Sequence, residues 1–462
     1  VCLAVLSGGV FLKGRFIWMK MDEMFARAPI PKVYMQLALP VVLGMVASMV
    51  YNLADTFFVA QTGNADLVAG IALGTPLFSF MLAVGDIFGL GGSAAISRLL
   101  GQKAHQASAH LSSFCFYAAI AFSLVLTVLM LVFERPILGM LGVTAATYQY
   151  AAGFYRMMAL GSTFIIVSLV PGNIIRTEGL ATKSMIATLT GTLLAIVLDP
   201  IFLFVLDWGA AGVGLANVLG YAVNTTMLVY FMVKDCQILS LSPKLWRVSW
   251  ADVRTILNIG IPASLTNFMQ SFGVMLLNNY LALYGAVAIA AMGIVLKIYM
   301  VVMLIMVGFA FGAQPLIGYN YGAANKARFR AIVRFDFMVE VVYALICAVI
   351  LMIFAPQLVA LFMAKPAIVT MGTKMLRLLL ATAPFIGAIL VFTTLFQSIG
   401  KASGALIMAV TRQGIVFAIV IVLLARLFGF QGVIMAQPVA DVVTFLIGYW
   451  LYRQLVVKSE AK

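Results

Sequence analysis

Apolar runs of about 20 residues, the length that crosses the hydrocarbon core of a bilayer, recur along this chain. They lie near 33–60, 67–97, 109–133, 144–174, 184–206, 212–234, 254–284, 287–318, 331–354, 367–397, 402–425 and 432–452. Within 462 residues, twelve such runs leave little room for anything else. Charged residues make up 10% of the chain and the mean hydropathy is +1.11, against roughly 25% charged in a soluble domain. So apolar a chain cannot cover itself with polar surface. This excludes a soluble globular protein, a disordered chain and a disulfide-stapled secreted domain. The runs do not alternate in polarity, which excludes a membrane-spanning sheet. The expected fold is an all-α polytopic membrane protein with twelve transmembrane helices. Several runs exceed the minimum span and must tilt, kink or project from the lipid. Pro40, Pro76, Pro171, Pro262, Pro315, Pro384 and Pro438 supply kink sites.

Twelve helices put both termini on one side. Of the 29 Lys and Arg residues, 21 fall in the termini and the loops on that side. Only Arg135, Lys365, Lys374, Arg377 and Arg426 fall on the other, and Arg156, Lys297 and Arg412 lie inside helices. The bias assigns both termini to the cytoplasm. The net charge of +14 is thus largely a topology signal, and no nucleic acid partner is expected. Cys2, Cys115, Cys236 and Cys347 lack metal-ligand spacing and read as buried thiols. Residues 1–28 are set aside as an N-terminal extension: Lys13 and Arg15 interrupt its apolar run, and Met19, Met21 and Met24 are alternative starts.

The chain also repeats itself. LALPVVLGMVAS at 37–48 returns as IGIPASLTNFMQ at 259–270, aligning Pro40 with Pro262. Gly63, Gly91, Gly101 and Gly179 then align with Gly285, Gly312, Gly322 and Gly400. The expected domains are an N-lobe of six helices (29–234), a polar cytoplasmic linker (235–253), a C-lobe of six helices (254–453) and a cytoplasmic tail (454–462). Six helices per half place both halves in the same orientation, related by an axis along the membrane normal. Two pseudo-symmetric six-helix lobes around a cleft are an architecture of alternating-access transporters.

Several segments resemble a known family. IPKVYMQLALP and YNLADTFFVAQTG (30–63), NIIRTEG (173–179) and VLDPIFLF (197–204) are similar to the multidrug and toxic compound extrusion (MATE) transporters. GIVLKIY (293–299), GAQPLIGYNYGAANKARF (312–329) and FQSIGKA (396–402) are similar to its DinF-like branch. The resemblance covers residues 30–455. It implies a V-shaped pair of lobes in the bacterial cytoplasmic (inner) membrane. It also implies export of small cationic or amphipathic drugs, driven by inward flow of H⁺ or Na⁺. The expectation is a monomer in the lipid bilayer, with no cofactor beyond the coupling ion and no enzymatic activity.

An ionisable side chain inside a membrane helix costs about 2.5–3.5 kcal/mol on insertion scales, so each one is a functional candidate. Asp55, Asp199 and Asn217 lie at similar distances from the outer ends of the first, fifth and sixth helices. At 1.5 Å per residue they converge on one layer of the first lobe. Two carboxylates and an amide there can share a proton or hold Na⁺. Asn52 and Tyr51 precede Asp55 by about one turn and share its face. The resemblance implies that Asp55 and Asp199 are the coupling acids and Pro40 the kink of the first helix. The branch usually carries Asn where this chain has Ala195, Thr where it has Asn217, and an Asn pair where it has Gly172 and Asn173. Asn173 and Asn217 are the amides left to complete the network, and the choice between H⁺ and Na⁺ stays open.

Gln270 occupies a position where a second branch has an acid. It is expected to face the cleft, with Tyr51 and Lys297 as further lining candidates. Lys297 needs a carboxylate, and Glu340 and Asp441 are the expected partners. Glu178 is expected to pair Arg176 or Lys183, or to order the loop. Asp86 is left without a role. The main alternative is a flippase for a lipid-linked oligosaccharide or lipid precursor. Such a protein would be expected to show more basic residues in its cavity. A membrane enzyme finds no support, because His105 and His110 share one loop and no metal or Ser–His–acid motif accompanies them.

Overall fold

The computed structural model describes residues 21–458. The first lobe comprises α2 (Ile30–Gln61), a span broken into α3 (Ala65–Ala72) and α4 (Thr75–Gly101), α5 (His105–Val132), the short α6 (Glu134–Met140), α7 (Tyr148–Ile174), α8 (Ala181–Pro200) and α9 (Gly209–Asp235). A preceding helix, α1 (Met21–Ala26), leads into it. The second lobe comprises α10 (Trp250–Ala282), α11 (Ala286–Gly322), α12 (Lys326–Ile353), the short α13 (Ala355–Phe362), α14 (Pro366–Ala381), α15 (Ala383–Ser398), α16 (Ala402–Val410) and α17 (Val416–Tyr452).

Among the described residues, nine helical stretches are long and apolar enough to cross a membrane, and α14 with α15, bent by 46°, make a tenth. The more polar α10 is an eleventh. Residues 402–457 are continuously helical over 56 residues, about 84 Å at 1.5 Å per residue, far more than one bilayer needs. The chain turns back within this stretch. Gly429 leaves helical geometry (φ 56°, ψ −132°), and a Cβ on Gly432 would run into the Leu424 carbonyl. With these two arms counted separately, twelve transmembrane helices result among the described residues. The lipid-facing surface is frankly apolar: Val128 and Val132 of α5 are 60% and 68% exposed, as expected where hydrocarbon replaces water.

The backbone carries the repeat more sharply than the sequence does. Left-handed residues recur at an offset of 221 or 222: Gly63 and Gly285, Lys103 and Ala324, Gly179 and Gly400, Asp207 and Gly429. The short helices α6 and α13 begin 221 residues apart. α2 stays unbroken through Pro40, which is buried.

The lobes meet near the side that carries the termini. Gly308 and Gly312 of α11 abut Val42 and Ala38 of α2, and Gly91 of α4 abuts Ile256 and Gly260 of α10. Gly101 meets the Tyr319 carbonyl and Gly322 the Arg98 carbonyl. A side chain at any of these glycines would force the helices apart. Arg98 of the first lobe donates to the Gln397 and Ser398 carbonyls of the second. Further out, Phe80 of α4 meets Phe268 of α10. Beyond this contact α2 and α10 run on to Gln61 and Ala282, so the cleft opens on the side away from the termini.

Two expectations need correction. Residues 21–28 are not outside the fold. Phe25 is fully buried and packs on Tyr319, Asp22 accepts from Tyr319, and Arg328 donates to the Phe25 and Ala28 carbonyls. This segment carries a large aromatic and free carbonyls, which the far lobe buries and satisfies. Of the described thiols, only Cys115 is buried. Cys236 and Cys347 are half-buried, because each sits at the rim of its helix packing, and Cys2 lies outside the described residues.

Candidate functional site

α2 and α8 run side by side in the same direction, with Gly44 against Thr188. Eleven residues further along both helices this register reaches Asp55 and Asp199. α9 runs antiparallel to α8 and can approach closely, because Gly191 and Gly220 face each other without side chains and Gly220 also meets Ala195. That alignment brings Asn217 level with Asp199. The two acids and Tyr221 lie within electrostatic reach of the Tyr51 hydroxyl, and Asn217 lies beside it.

The site is starved of partners. Asp199 is 0% exposed. Both of its carboxylate oxygens, Oδ1 of Asp55, the Tyr51 hydroxyl and Oδ1 of Asn224 are buried without a hydrogen-bond partner. A buried polar group left unpaired costs about 1–3 kcal/mol, and more when charged. Four of these atoms, on Asp199, Asp55 and Tyr51, gather at one place, while Asn224 lies further down α9 beside Gly191. The donor set of carboxylates, a phenol and amides suits a proton or a small hard cation. Among the described residues no group of three or more His, Cys, Asp or Glu could hold a metal.

Not every candidate joins this cluster. Asn52 is exposed and donates to the Ser48 carbonyl of its own helix. One turn of separation does place it near Asp55 in height, but α2 rotates it away from α8. Asn173 donates to the Leu169 carbonyl and accepts from Arg176 at 3.4 Å. It packs against Gly89 of α4, beside the half-buried Asp86 with which Arg176 interacts electrostatically. Asp86 accepts from Asn267 of the opposite lobe at 3.2 Å. Asn173 thus serves the junction between lobes near the closed end of the cleft. Gln270 is exposed on α10.

Lys297 does not pair as expected. Asp441 is fully buried and bonds Arg412 at 3.1 Å, Gln437 at 2.9 Å and Thr382 at 3.2 Å, while both Glu340 oxygens are unpartnered. Lys297 itself is exposed on α11, turned away from both acids. Glu178 orders the loop: it accepts the backbone N–H groups of Gln237, Ile238 and Leu239. The Arg412–Asp441 pair was missed by assigning Asp441 to Lys297. An Arg within an apolar run demands a carboxylate more strictly than a Lys near a surface does. Tyr221 and Asn224 were also missed, though both lie one turn apart beyond Asn217.

Comparison with known proteins identifies the family and agrees with the fold. Two stretches, residues 40–201 and 262–424, match the MatE family, one in each repeat. The multidrug export protein MepA of Staphylococcus aureus (strain N315) is 30% identical over 439 residues, covering 94% of this chain and 97% of that protein. MepA of Staphylococcus haemolyticus (strain JCSC1435) is 30% identical over 431 residues, covering 93% and 95%. Among solved structures, a MATE protein in complex with MaL6 superposes with a TM-score of 0.91 at 22% identity, covering 96% of this chain and 100% of that one. An outward-facing multidrug resistance MATE family transporter of the MOP superfamily superposes with a TM-score of 0.88 at 24% identity, covering 95% and 98%. With both repeats matched and nearly the whole chain aligned, the chain belongs to the MatE family.

Proposed function

We propose that this protein is a cation-coupled antiporter that exports small cationic or amphipathic drugs by alternating access. The observation that carries the reading is Asp199, fully buried with both oxygens unpartnered beside Asp55 on a parallel helix. A carboxylate left unsatisfied within a membrane lobe is destabilising, and its retention points to a transient ligand. Residues of this chain then have distinct tasks. Asp55 and Asp199 bind the ion, Asn217 and Tyr51 orient them, and Pro40 marks where α2 can bend. The Lys and Arg bias supports cytoplasmic termini, so the cleft opens outward and offers the acids to external ions. Ion binding changes the position of α2 and weakens drug binding, and the lobes rock to reload from the cytoplasm. The named function of the MepA relatives, multidrug export, supports the same substrate class.

The test is ethidium efflux from energised cells and reconstituted vesicles under an imposed ΔpH and, separately, an imposed Na⁺ gradient. Wild type, Asp55→Asn and Asp199→Asn run side by side. Efflux driven by one gradient and lost in both variants at wild-type expression is the expected result. Undiminished efflux in both variants would refute the coupling assignment.

A further inference from the structure

A second acidic site lies in the other lobe. Asp336 and Glu340 are one turn apart on α12, and both are 0% exposed. The Tyr34 hydroxyl of α2, on the opposite lobe, donates to Oδ1 of Asp336 at 2.7 Å. The other Asp336 oxygen and both Glu340 oxygens are buried with no hydrogen-bond partner. The elements packed around the pair supply little to balance it. From α11 come Phe309 and the Ala310 backbone, and from α15 the glycine Gly387. Further along α12 lie Tyr343 and Cys347. No Lys, Arg or His pairs with either acid among the described residues.

Two carboxylates cannot both be ionised so close together, dehydrated and without a cation. Asp336 accepts from Tyr34, which leaves Glu340 as the orphan. We propose that Asp336 and Glu340 form a proton-binding site of the second lobe, with Glu340 holding the proton while Tyr34 joins the lobes. Tyr34 lies at the closed end of the cleft, beside the contact of Ala38 with Gly312. When the lobes part at that end, the phenol leaves Asp336. Water then reaches the pair, and the proton passes from the Glu340 carboxyl to that water. Reclosure takes one back. Proton occupancy is in this way tied to which end of the cleft is open. This site lies outside the Asp55–Asp199 region and does not depend on which ion that region takes.

The test is infrared difference spectroscopy of the purified full chain in H₂O and D₂O across a pH titration, reading the C=O stretch of protonated carboxyls. It is run first on the Asp55→Asn/Asp199→Asn double variant, which removes the two candidate coupling acids. The expected result is a D₂O-sensitive carboxyl band that survives in this background, vanishes on adding Glu340→Gln, and moves on adding Tyr34→Phe. Gln mimics a protonated carboxyl, so Glu340→Gln should keep the wild-type melting temperature. Should it fail to fold, the Tyr34→Phe shift decides, since that variant removes only the donor. A band that is absent from the double variant, or unchanged by Glu340→Gln or Tyr34→Phe, overturns the proposal. None of these readings requires transport. Undiminished efflux in both Asp55→Asn and Asp199→Asn would sink the coupling assignment and leave this one standing.

Discussion

In the first lobe, α8 and α9 meet through Gly191 and Gly220, backbone against backbone. In the second lobe the helices on either side of the corresponding junction, α16 and α17, are joined instead by Arg412 and Asp441, a largely buried ion pair at 3.1 Å. One scaffold thus closes the same junction in two ways, by close approach and by charge. The acids differ just as sharply. Asp55 corresponds, at the 222 offset of Pro40 and Gly63, to the buried Leu277, and Asp199, at 221 or 222, falls on the equally apolar Val420 or Ile421. Asp336 and Glu340 correspond, at 221, to the buried Cys115 and Ala119. The helical frame was duplicated but the charges were not. A carboxylate absent from its repeat partner is dispensable for the frame, so the unpartnered ones require a reason other than folding.

The largest effect should come from breaking the paired acid. Arg412→Leu leaves Asp441 buried without its cation, and stability should fall by about 3–5 kcal/mol. Adding Asp441→Leu should restore most of the loss, because a buried ion pair is often matched by apolar residues. Thermal unfolding in detergent reads both. A double variant no more stable than the single would mean that Gln437 and Thr382, not the pair, hold the junction. On the glycine side, Gly191→Ala places a methyl against the Gly220 carbonyl, an overpacking worth about 1–3 kcal/mol. The same displacement should carry α9 away from Asp199 and lower ethidium efflux. Efflux unchanged at reduced stability would separate the junction from the site. Asp199→Asn is the opposite case. It removes no hydrogen bond, so stability should move by no more than about 1 kcal/mol while efflux is lost. A large stability loss there would show that Asp199 is structural after all.

How much of this could be read from residues alone follows the range of each interaction. The spans were legible because lipid demands apolarity at every exposed position, whatever the packing. The repeat was legible because glycines such as Gly101 and Gly322 sit where helices touch. Asp55, Asp199 and Asn217 came out at one height because rise per residue is fixed. Rotation about the helix axis was not legible. It decides that Tyr51 faces the acids while Asn52 turns to the outside, and that Arg412 rather than Lys297 reaches Asp441. Asp336 and Glu340 left a signal that went unused: two acids four apart in an otherwise apolar helix share a face, and in a membrane that is costly enough to notice.

The smallest contrast lies at the rim. Arg156 forks onto both oxygens of Glu134 at 2.8 and 2.9 Å. At an offset of 221 stand Arg377 and Ala355, and Arg377, with no acid to meet, donates to the Met352 carbonyl at 3.1 Å. The Arg156 hydrogen bonds hold the Glu134 carboxyl below the usual carboxylate range. A depressed acid stabilises the fold above its unfolded value, about 4.3, and that contribution disappears as the pH falls through the lower folded value. Arg156 is 55% exposed, so screening limits the pair to about 0.2–1 kcal/mol. Arg156→Gln should therefore lower the melting temperature slightly at pH 7 and less in high salt, and should match wild type once Glu134 is protonated. Arg377→Gln has no carboxylate to release, and its small cost should be the same at acid and neutral pH. Equal pH dependence in the two variants would mean that the rim arginines act alike and that Glu134 contributes nothing through its charge.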